Sequence, residues 1–284
     1  MWVPLAAVTA VAFALSGTYA KALSSRAHVY AITWAMMTLT LPWSAALLAL
    51  DGVPTVRPGF YSAALASVVL NMVSMTLEVK ALSVSPLSLT VPFLAFTPLF
   101  MLATSYLVLG EVPDAKGVAG IVLVAAGAYA INLEKVRGGL LCPLKAIARE
   151  PGSRIMLLVA LLWSVSAVYD KKATLASSPA FYTTFFAAAA GVLYAPALVV
   201  GLRRKPVGRE MVPRLFLLGL VCAVMVLSQF AALRLALASY VIAVKRSGML
   251  LSVVLGRVLF KERSLAVRLL GAALMIAGVV TISL

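Results

Sequence analysis

Two adjacent basic residues, Lys245 and Arg246, stand in the middle of a long apolar stretch of the sequence. A charge at the centre of a membrane helix costs about 2.5–3.5 kcal/mol, so a pair of them needs a stabilising environment. One alternative is that they snorkel, or pair with a buried carboxylate and lock helices together. We favour a cavity site for an anion, because the arginine fork suits a carboxylate or phosphate and the lysine adds a point charge.

Acidic residues in apolar segments are the second group of side chains that could bind a charged group or carry a proton. Asn71 and Ser74 precede Glu78 by seven and four residues, so the three form one polar stripe on a helix. If Glu78 is buried it could carry a coupling proton, whereas its closeness to Lys80 equally favours an interfacial carboxylate outside the bilayer. For Asp170 we expect a solvated helix end, with a counter-ion for Lys245 as the alternative.

Prolines and aromatic residues could shape a cavity around these charges. Pro86, Pro92 and Pro98 recur every six residues, and each removes a backbone hydrogen-bond donor. Irregular backbone at membrane depth is tolerated where it lines a cavity, although a kinked helix packed on its neighbours is the plainer alternative. Five aromatic residues could line the same cavity, while packing or interfacial roles are more usual for such residues: Tyr19, Tyr169, Trp163, Phe93 and Phe96.

Composition places these residues in a lipid bilayer. Hydrophobic residues make up 63% of the 284 and charged residues 12%, unlike a soluble domain. A hydrocarbon core about 30 Å thick needs roughly 20 apolar residues per helix. The sequence therefore predicts an all-α polytopic protein of ten transmembrane helices with no soluble domain and no cleavable signal. The predicted segments are 3–22, 28–50, 58–80, 84–109, 115–133, 154–174, 178–201, 213–234, 238–260 and 264–284.

The sequence repeats itself after about 150 residues. Tyr19 matches Tyr169 at an offset of 150, and Glu111 matches Glu262 at an offset of 151. The spacing predicts two five-helix units, 1–133 and 154–284, joined by a cytoplasmic or connecting loop at 134–153. Five crossings in each unit require the second to be inverted relative to the first, with the binding site between them. We expect the fourth and ninth segments to form opposite walls of that site.

The repeat also aligns the polar stripe of the third segment with the eighth. Gln229 corresponds to Glu78, while Cys222 and Met225 correspond to Asn71 and Ser74. The stripe is thus strongly polar in the third segment, whereas the matching positions of the eighth segment carry less polar side chains. Such asymmetry would suit an amphoteric ligand.

The positions of the basic residues indicate what the net charge of +15 is for. Most cluster at one set of helix ends, which is the positive-inside pattern and predicts that both termini lie outside. A basic face toward anionic lipid explains this charge, so we expect the lipid bilayer rather than nucleic acid as partner. The opposite ends hold only Arg57, Lys116, Lys171, Lys172 and Arg234.

The sequence does not contain the residue patterns that catalysis, metal binding or nucleotide binding would need. His28 is the only histidine, and Cys142 and Cys222 offer no metal-ligand spacing. No G-x-x-x-x-G-K-[ST] loop is present, so ATP does not drive the protein directly. We therefore expect no enzyme activity, no cofactor and no metal.

The first segment of each half resembles a known family. Phe13-Ala14-Leu15-Ser16-Gly17-Thr18-Tyr19-Ala20-Lys21 and Trp163-Ser164-Val165-Ser166-Ala167-Val168-Tyr169-Asp170-Lys171 are similar to the W-G-x-x-x-x-x-x-K stretch of the EamA family. Ala81-Leu82, Pro98 and Gly110-Glu111 resemble its third-to-fifth helix signature. The resemblance implies a ten-helix carrier of the drug/metabolite transporter superfamily, with inverted five-helix repeats.

A second resemblance concerns the basic pair. Triose-phosphate carriers of the same superfamily hold phosphate with a ninth-helix Lys-Arg pair, which Lys245 and Arg246 resemble. Those carriers add a lysine from the fourth helix, whereas the repeat places Leu94 and Ala95 opposite the pair here. A carboxylate or a single phosphate group therefore fits better than a doubly charged phosphate.

Together these features predict a secondary active transporter in the inner or plasma membrane. It would move a small polar or anionic metabolite by alternating access, with possible proton coupling. The alternatives are a membrane-embedded lipid-modifying enzyme and a non-transporting membrane scaffold. The expected substrate-binding residues are Lys245, Arg246, Glu78, Gln229, Asn71, Tyr19, Tyr169, Trp163, Phe93 and Phe96.

Overall fold

The computed structural model describes residues 1–84, 91–133, 150–260 and 266–283. Within these ranges the chain is helical and contains no strand. Several residues used above lie outside them, namely Pro86, Cys142, Glu262 and all of the predicted loop 134–153 except its last four residues.

The described part of the first half folds into five helices, the second of which is broken. A short 3-10 turn at Val91–Phe96 leads into the fourth helix. The helices are α1 (Trp2–Ser24), α2a (Val29–Thr38), α2b (Leu41–Asp51), α3 (Phe60–Val84), α4 (Thr97–Leu109) and α5 (Ala115–Leu133).

The second half repeats this order. Its first helix begins at Pro151, three residues before the predicted start of the second unit. The helices are α6 (Pro151–Leu175), α7a (Pro179–Leu193), α7b (Ala195–Arg204), α8 (Val212–Leu233), α9 (Ala238–Phe260) and α10 (Ala266–Ser283).

Prolines explain why the second helix of each half is broken. Pro42 and Pro196 are the second residues of α2b and α7b. Proline has no N–H to donate and its ring clashes with the carbonyl four residues earlier, so the preceding helix ends. The two parts of α7 meet at 56°. The segment predicted at 178–201 contains this bend, whereas the interruption after Thr38 still leaves Val29–Asp51 as one candidate span.

Several helices have the length and composition of membrane spans. Among the described residues five qualify, and the broken α7 makes a sixth if its two parts form one span. The five are Trp2–Ser24, Val29–Asp51, Phe60–Glu78, Pro151–Leu175 and Arg209–Leu233. The apolar stretches found in α4, α5 and α10 are shorter. Large apolar side chains such as Val69 and Leu217 are exposed on the outer surface, as lipid contact requires.

The two halves pack against each other in a reciprocal way. Helix α1 packs on α8 and α9, whereas α6 packs on α3 and α4. The first helix of each half therefore contacts the third and fourth helices of the other half.

Helices α5 and α10 pack closely against each other across the two halves. A Cβ atom on Gly120 would lie 2.8 Å from the carbonyl oxygen of Gly278, and one on Gly127 would lie 2.5 Å from that of Gly271. Residue numbers rise along α5 as they fall along α10, so the two helices are antiparallel. Glycine is needed at this crossing because any side chain would separate the two backbones.

Candidate functional site

A cavity of about 340 Å³ lies between the two halves. Its size falls within the range of about 300–1,000 Å³ that is typical of small-molecule sites. Side chains from α1, α2a, α3, α6, α7a, α8 and α9 line it, together with Leu94 and Thr97 near the start of α4. Most of this lining is apolar, and the charged side chains are few.

The predicted site residues divide into two groups by position. Six of them line the cavity, namely Lys245, Arg246, Glu78, Gln229, Asn71 and Trp163. The other four aromatic residues lie elsewhere in the helix packing. Phe93 is fully buried and stacks on Phe96, while Tyr19 and Tyr169 pack against buried apolar clusters.

The basic pair reaches the cavity from α9, and its two members contact different helices. Lys245 Nζ donates to Gln229 Oε1 of α8 at 2.6 Å. Arg246 Nη2 donates to Thr97 Oγ1 of α4 at 3.1 Å, which connects the two halves. Both cations lie over the ring of Phe13, at 5.5 Å for Lys245 Nζ and 6.0 Å for Arg246 Cζ. Both cations therefore lie close to one aromatic ring at the cavity wall.

Arg246 keeps most of its hydrogen-bonding capacity. A guanidinium has five N–H donors, and among the described residues only Thr97 accepts a hydrogen bond from it. Its Nε is buried without a partner within the described structure. The side chain lines the cavity, so its remaining donors are available to an anionic ligand.

Glu78 lies in the cavity rather than at a solvated helix end. Its carboxyl interacts electrostatically with Arg246 and contacts the indole of Trp163. It lines the same cavity as Lys245, which places acid and base on facing helices. An anionic ligand on Arg246 would therefore compete with Glu78 for the same positive charge.

The expectation of a solvated helix end for Asp170 is wrong. Helix α6 continues to Leu175, so Asp170 lies more than one turn inside the helix and is 8% exposed. Its Oδ1 accepts hydrogen bonds from Ser67 of α3 and from the Tyr182 hydroxyl of α7a, the latter at 2.6 Å. The carboxylate also faces the cavity and interacts electrostatically with Lys245.

Asn71 continues this polar cluster between α3 and α6. Its Nδ2 donates to Ser166 Oγ at 2.6 Å and to Ser67 Oγ at 3.1 Å. The stripe that the sequence predicted on α3 thus faces the first helix of the other half. Ser67, Ser166 and Tyr182 were missed from sequence because hydroxyl residues are common in membrane helices.

A buried ion pair fixes the loop between α4 and α5. Lys171 pairs with Glu111 and donates to the carbonyl of Ala236, while Ala238 N donates to Glu111 Oε2 at 2.9 Å. Sequence reasoning did not predict this cluster. The available signal was the repetition of both residues, as Lys21 and Glu262 in the other half.

Asp114 ties the start of α5 to α9. Its Oδ1 accepts from Gly117 N and from the Tyr240 hydroxyl, each at 2.9 Å. The hydrogen bond from the Gly117 backbone, followed by that from Tyr240, holds the pKa of this exposed carboxyl below its ordinary value. The charged form therefore caps the first turn of α5.

Comparisons with known proteins agree with this architecture. A solved structure named only "Crystal structure of protein" superposes with a TM-score of 0.78 over 99% of this chain and 96% of that one. Its sequence identity of 16% makes this a likeness of fold alone. No curated protein matches the sequence.

The family model of the EamA-like transporter family matches residues 1–133 and 151–284. This match confirms the family expected from the sequence, and the apolar helices agree with a multi-pass membrane protein. Since both halves and nearly the whole length are matched, the chain belongs to the EamA-like transporter family, and through it to the drug/metabolite transporter superfamily.

Proposed function

We propose that this chain is a secondary active transporter that moves a small polar or anionic metabolite through the cavity by alternating access. One observation carries the proposal. The guanidinium of Arg246 lines a cavity between the two halves, with most of its donors unused by the described residues. A buried cation with free donors is costly in a membrane protein unless a ligand completes its shell.

We further propose ten membrane crossings in two inverted units, 1–133 and 154–284, connected by 134–153. The antiparallel contact of α5 and α10 supports this arrangement. If two equivalent helices cross a membrane antiparallel to each other, the units that contain them have opposite orientations. The reciprocal packing of α1 and α6 supports the same relation. A site between inverted units can open to either side by rocking of one unit against the other.

The ligand's anionic group is proposed to bind between Lys245 and Arg246. A carboxylate or a phosphate group can accept two parallel hydrogen bonds from a guanidinium. Binding there would bring negative charge close to Glu78, and uptake of a proton by Glu78 would relieve the repulsion. Proton coupling through Glu78 is therefore part of the proposal. The cell membrane is the proposed location.

A ligand screen in detergent tests the anion site. Carboxylates, sugar phosphates and amino acids are compared by the melting temperature of the purified protein, since a ligand at a hundredfold excess over its dissociation constant stabilises by about 2.7 kcal/mol. We expect Arg246→Gln to weaken binding of the stabilising compounds about tenfold or more, because hydrogen bonds to charged groups contribute about 1.5–3 kcal/mol.

Arg234→Gln is the matched control, because Arg234 is exposed at the end of α8 and does not line the cavity. It should leave binding unchanged. Equal ligand affinity in wild type and Arg246→Gln would contradict the anion site.

A further inference from the structure

Six basic residues lie where α1 and α7b end and where α8 begins. They form what we call the basic patch: Arg26, Arg203, Arg204, Lys205, Arg209 and Arg214. The segments that carry them, 22–30 and 195–214, contain a single acidic residue, Glu210. All six except Lys205 are exposed, and none of them forms a salt bridge within the part of the chain that the structure describes. The basic patch is therefore a strongly positive surface to which the described residues supply no counter-ion.

The basic patch lies across the contact between the two halves. Met211 of the second half packs in one buried cluster with Leu23 and Ala27 of the first. The ammonium of Lys205 donates to the carbonyl of Ser25 at 2.7 Å, and α7b packs on α2a. Basic residues from both halves are therefore held on one packed surface, and their mutual repulsion has to be offset by anions from outside the protein.

Local helix electrostatics explain only part of this charge. Arg203 and Arg204 lie in the last turn of α7b, where the helix dipole favours a cation. Arg214 lies in the first turn of α8, where the same dipole disfavours a cation, and Arg209 lies in the short 3-10 turn directly before it. An external anion accounts for these two arginines, whereas the helix dipole does not.

The residues beside the basic patch place it at the membrane surface. In α7b the exposed Val200 is followed within one turn by Arg203, and in α8 Arg214 is followed at once by the exposed Phe216 and Leu217. Both helices belong to candidate membrane spans. An apolar outer surface that changes to arginine within one turn is typical of the boundary between hydrocarbon and headgroups. The basic patch therefore lies at the depth of lipid phosphate groups.

The opposite helix ends carry no comparable surface in the described structure. There Lys171 pairs with Glu111, and Asp114 lies at the start of α5 close to Lys116. Basic and acidic side chains are thus mixed at those ends. Their exposed arginines, Arg57 and Arg234, provide a matched reference for removal of charge.

We propose that the basic patch binds the headgroups of anionic phospholipids, and that this binding connects the two halves at the membrane surface. The phosphate oxygens of a headgroup can accept paired hydrogen bonds from a guanidinium. The apolar surfaces of α7b and α8 beside the arginines would contact the acyl chains of the same lipid. This inference goes beyond the proposed function, because it does not depend on what the cavity binds.

Two lipids with the same acyl chains test the charge of the headgroup. Dioleoylphosphatidylglycerol is anionic, and dioleoylphosphatidylcholine has no net charge. Each is added in increasing amounts to the purified full chain in a non-ionic detergent, and the melting temperature is measured. We expect phosphatidylglycerol to stabilise the protein at a lower lipid fraction than phosphatidylcholine, and we expect this difference to shrink at high salt.

Paired substitutions assign the preference to the basic patch. Each basic residue near an anionic membrane surface strengthens binding about fivefold, so Arg203→Gln with Arg204→Gln should weaken phosphatidylglycerol binding about 25-fold. Arg209→Gln with Arg214→Gln is the second pair and should have a similar effect. Arg57→Gln with Arg234→Gln removes the same charge from the opposite ends and should leave this affinity unchanged. Equal stabilisation of all variants by phosphatidylcholine shows that they are folded.

A single variant tests the connection between the halves. Arg26 is the member of the basic patch that belongs to the first half, and Arg26→Gln should weaken phosphatidylglycerol binding about fivefold. Unchanged affinity in this variant would contradict a lipid that contacts both halves.

Three results would overturn the lipid site as a whole. The first is equal stabilisation of wild type by the two lipids. The second is a phosphatidylglycerol affinity that is the same in both patch pairs as in the control pair. The third is stabilisation by inorganic phosphate that the patch pairs lose, without a preference for phosphatidylglycerol, because the basic patch would then bind a free anion and not a lipid.

Discussion

At the residue scale, Arg246 and Asp170 are charged groups of the cavity that the described residues leave partly unsatisfied. Arg246 gives one hydrogen bond to Thr97, and Asp170 accepts two on a single oxygen. Buried polar groups in proteins are usually hydrogen-bonded, and exceptions often mark functional positions. Lys245 has three N–H donors against five for Arg246, so its hydrogen bond to Gln229 leaves it fewer donors for a ligand. We therefore expect Arg246 to contribute more to ligand binding than Lys245.

Stability measurements distinguish a ligand site from a structural bridge at this pair. Arg246→Gln should lower the free energy of unfolding by no more than about 1.5–3 kcal/mol, the net value of one hydrogen bond that involves a charged group, here the one to Thr97. Breaking a buried structural ion pair with Glu78 would cost about 3–5 kcal/mol. Melting curves without ligand make the comparison, with Lys245→Met as the second variant. A large loss that Glu78→Gln restores would refute the ligand-site assignment.

Part of this site could be predicted from single residues. Lys245 and Arg246 were recognisable because charge in an apolar segment is rare, and Glu78 and Asn71 followed from helical spacing on α3. Thr97, Phe13 and Tyr182 could not be found in this way, because their roles depend on which helices meet. Phe93 and Phe96 were candidates by residue type, yet the 3-10 turn and α4 direct them into packing against Tyr129 and Trp163.

At the element scale, the antiparallel crossing of α5 and α10 depends on glycines. Its position was foreseeable from Gly120 and Gly127, which repeat as Gly271 and Gly278. The breaks in α2 and α7 were not foreseen, although Pro42 and Pro196 marked them. A proline near the start of an apolar segment is compatible with either a helix start or a break, and only packing decides between them.

Substitution at the crossing should destabilise the protein. A Cβ atom on Gly127 would lie 2.5 Å from the carbonyl oxygen of Gly271, so Gly127→Ala forces α5 and α10 apart. We expect a loss of about 1–3 kcal/mol in the free energy of unfolding, as for overpacked cores. Thermal unfolding in detergent measures this loss.

Gly17→Ala is the matched control for this substitution. Gly17 also lies inside a helix, but nothing lies within 4 Å of an added Cβ atom. This change should be neutral or slightly stabilising, because alanine favours helices more than glycine does. Equal melting temperatures for the two variants would show that the crossing does not depend on glycine.

At the scale of the whole molecule, two halves of similar sequence surround one cavity, and each contributes charges to it. The first half supplies Glu78, and the second supplies Asp170, Lys245 and Arg246. The repeat, visible in sequence, predicted that a site would lie between the halves. The distribution of charges between them was only partly predictable, because the repeat shows which positions are equivalent and not which side chains meet.

The position of the termini tests the proposed orientation. The basic helix ends predict that both termini lie outside the cell. A cysteine placed at position 1 or 284, after Cys142 and Cys222 are replaced by serine, should react with an impermeant maleimide in intact cells. Reaction only in inside-out vesicles would show that the charge distribution predicts the wrong orientation.

Labelling of the cavity wall from both sides of the membrane tests alternating access most directly, and it requires no knowledge of the substrate. Gly17 lines the cavity and has room for a side chain, so Gly17→Cys in the cysteine-free background places a thiol there. The reagent is a membrane-impermeant, water-soluble maleimide, applied to intact cells and to inside-out vesicles. The account predicts that this thiol reacts from both sides. Reaction from one side only, or from neither, would contradict a carrier that opens its cavity alternately to each face.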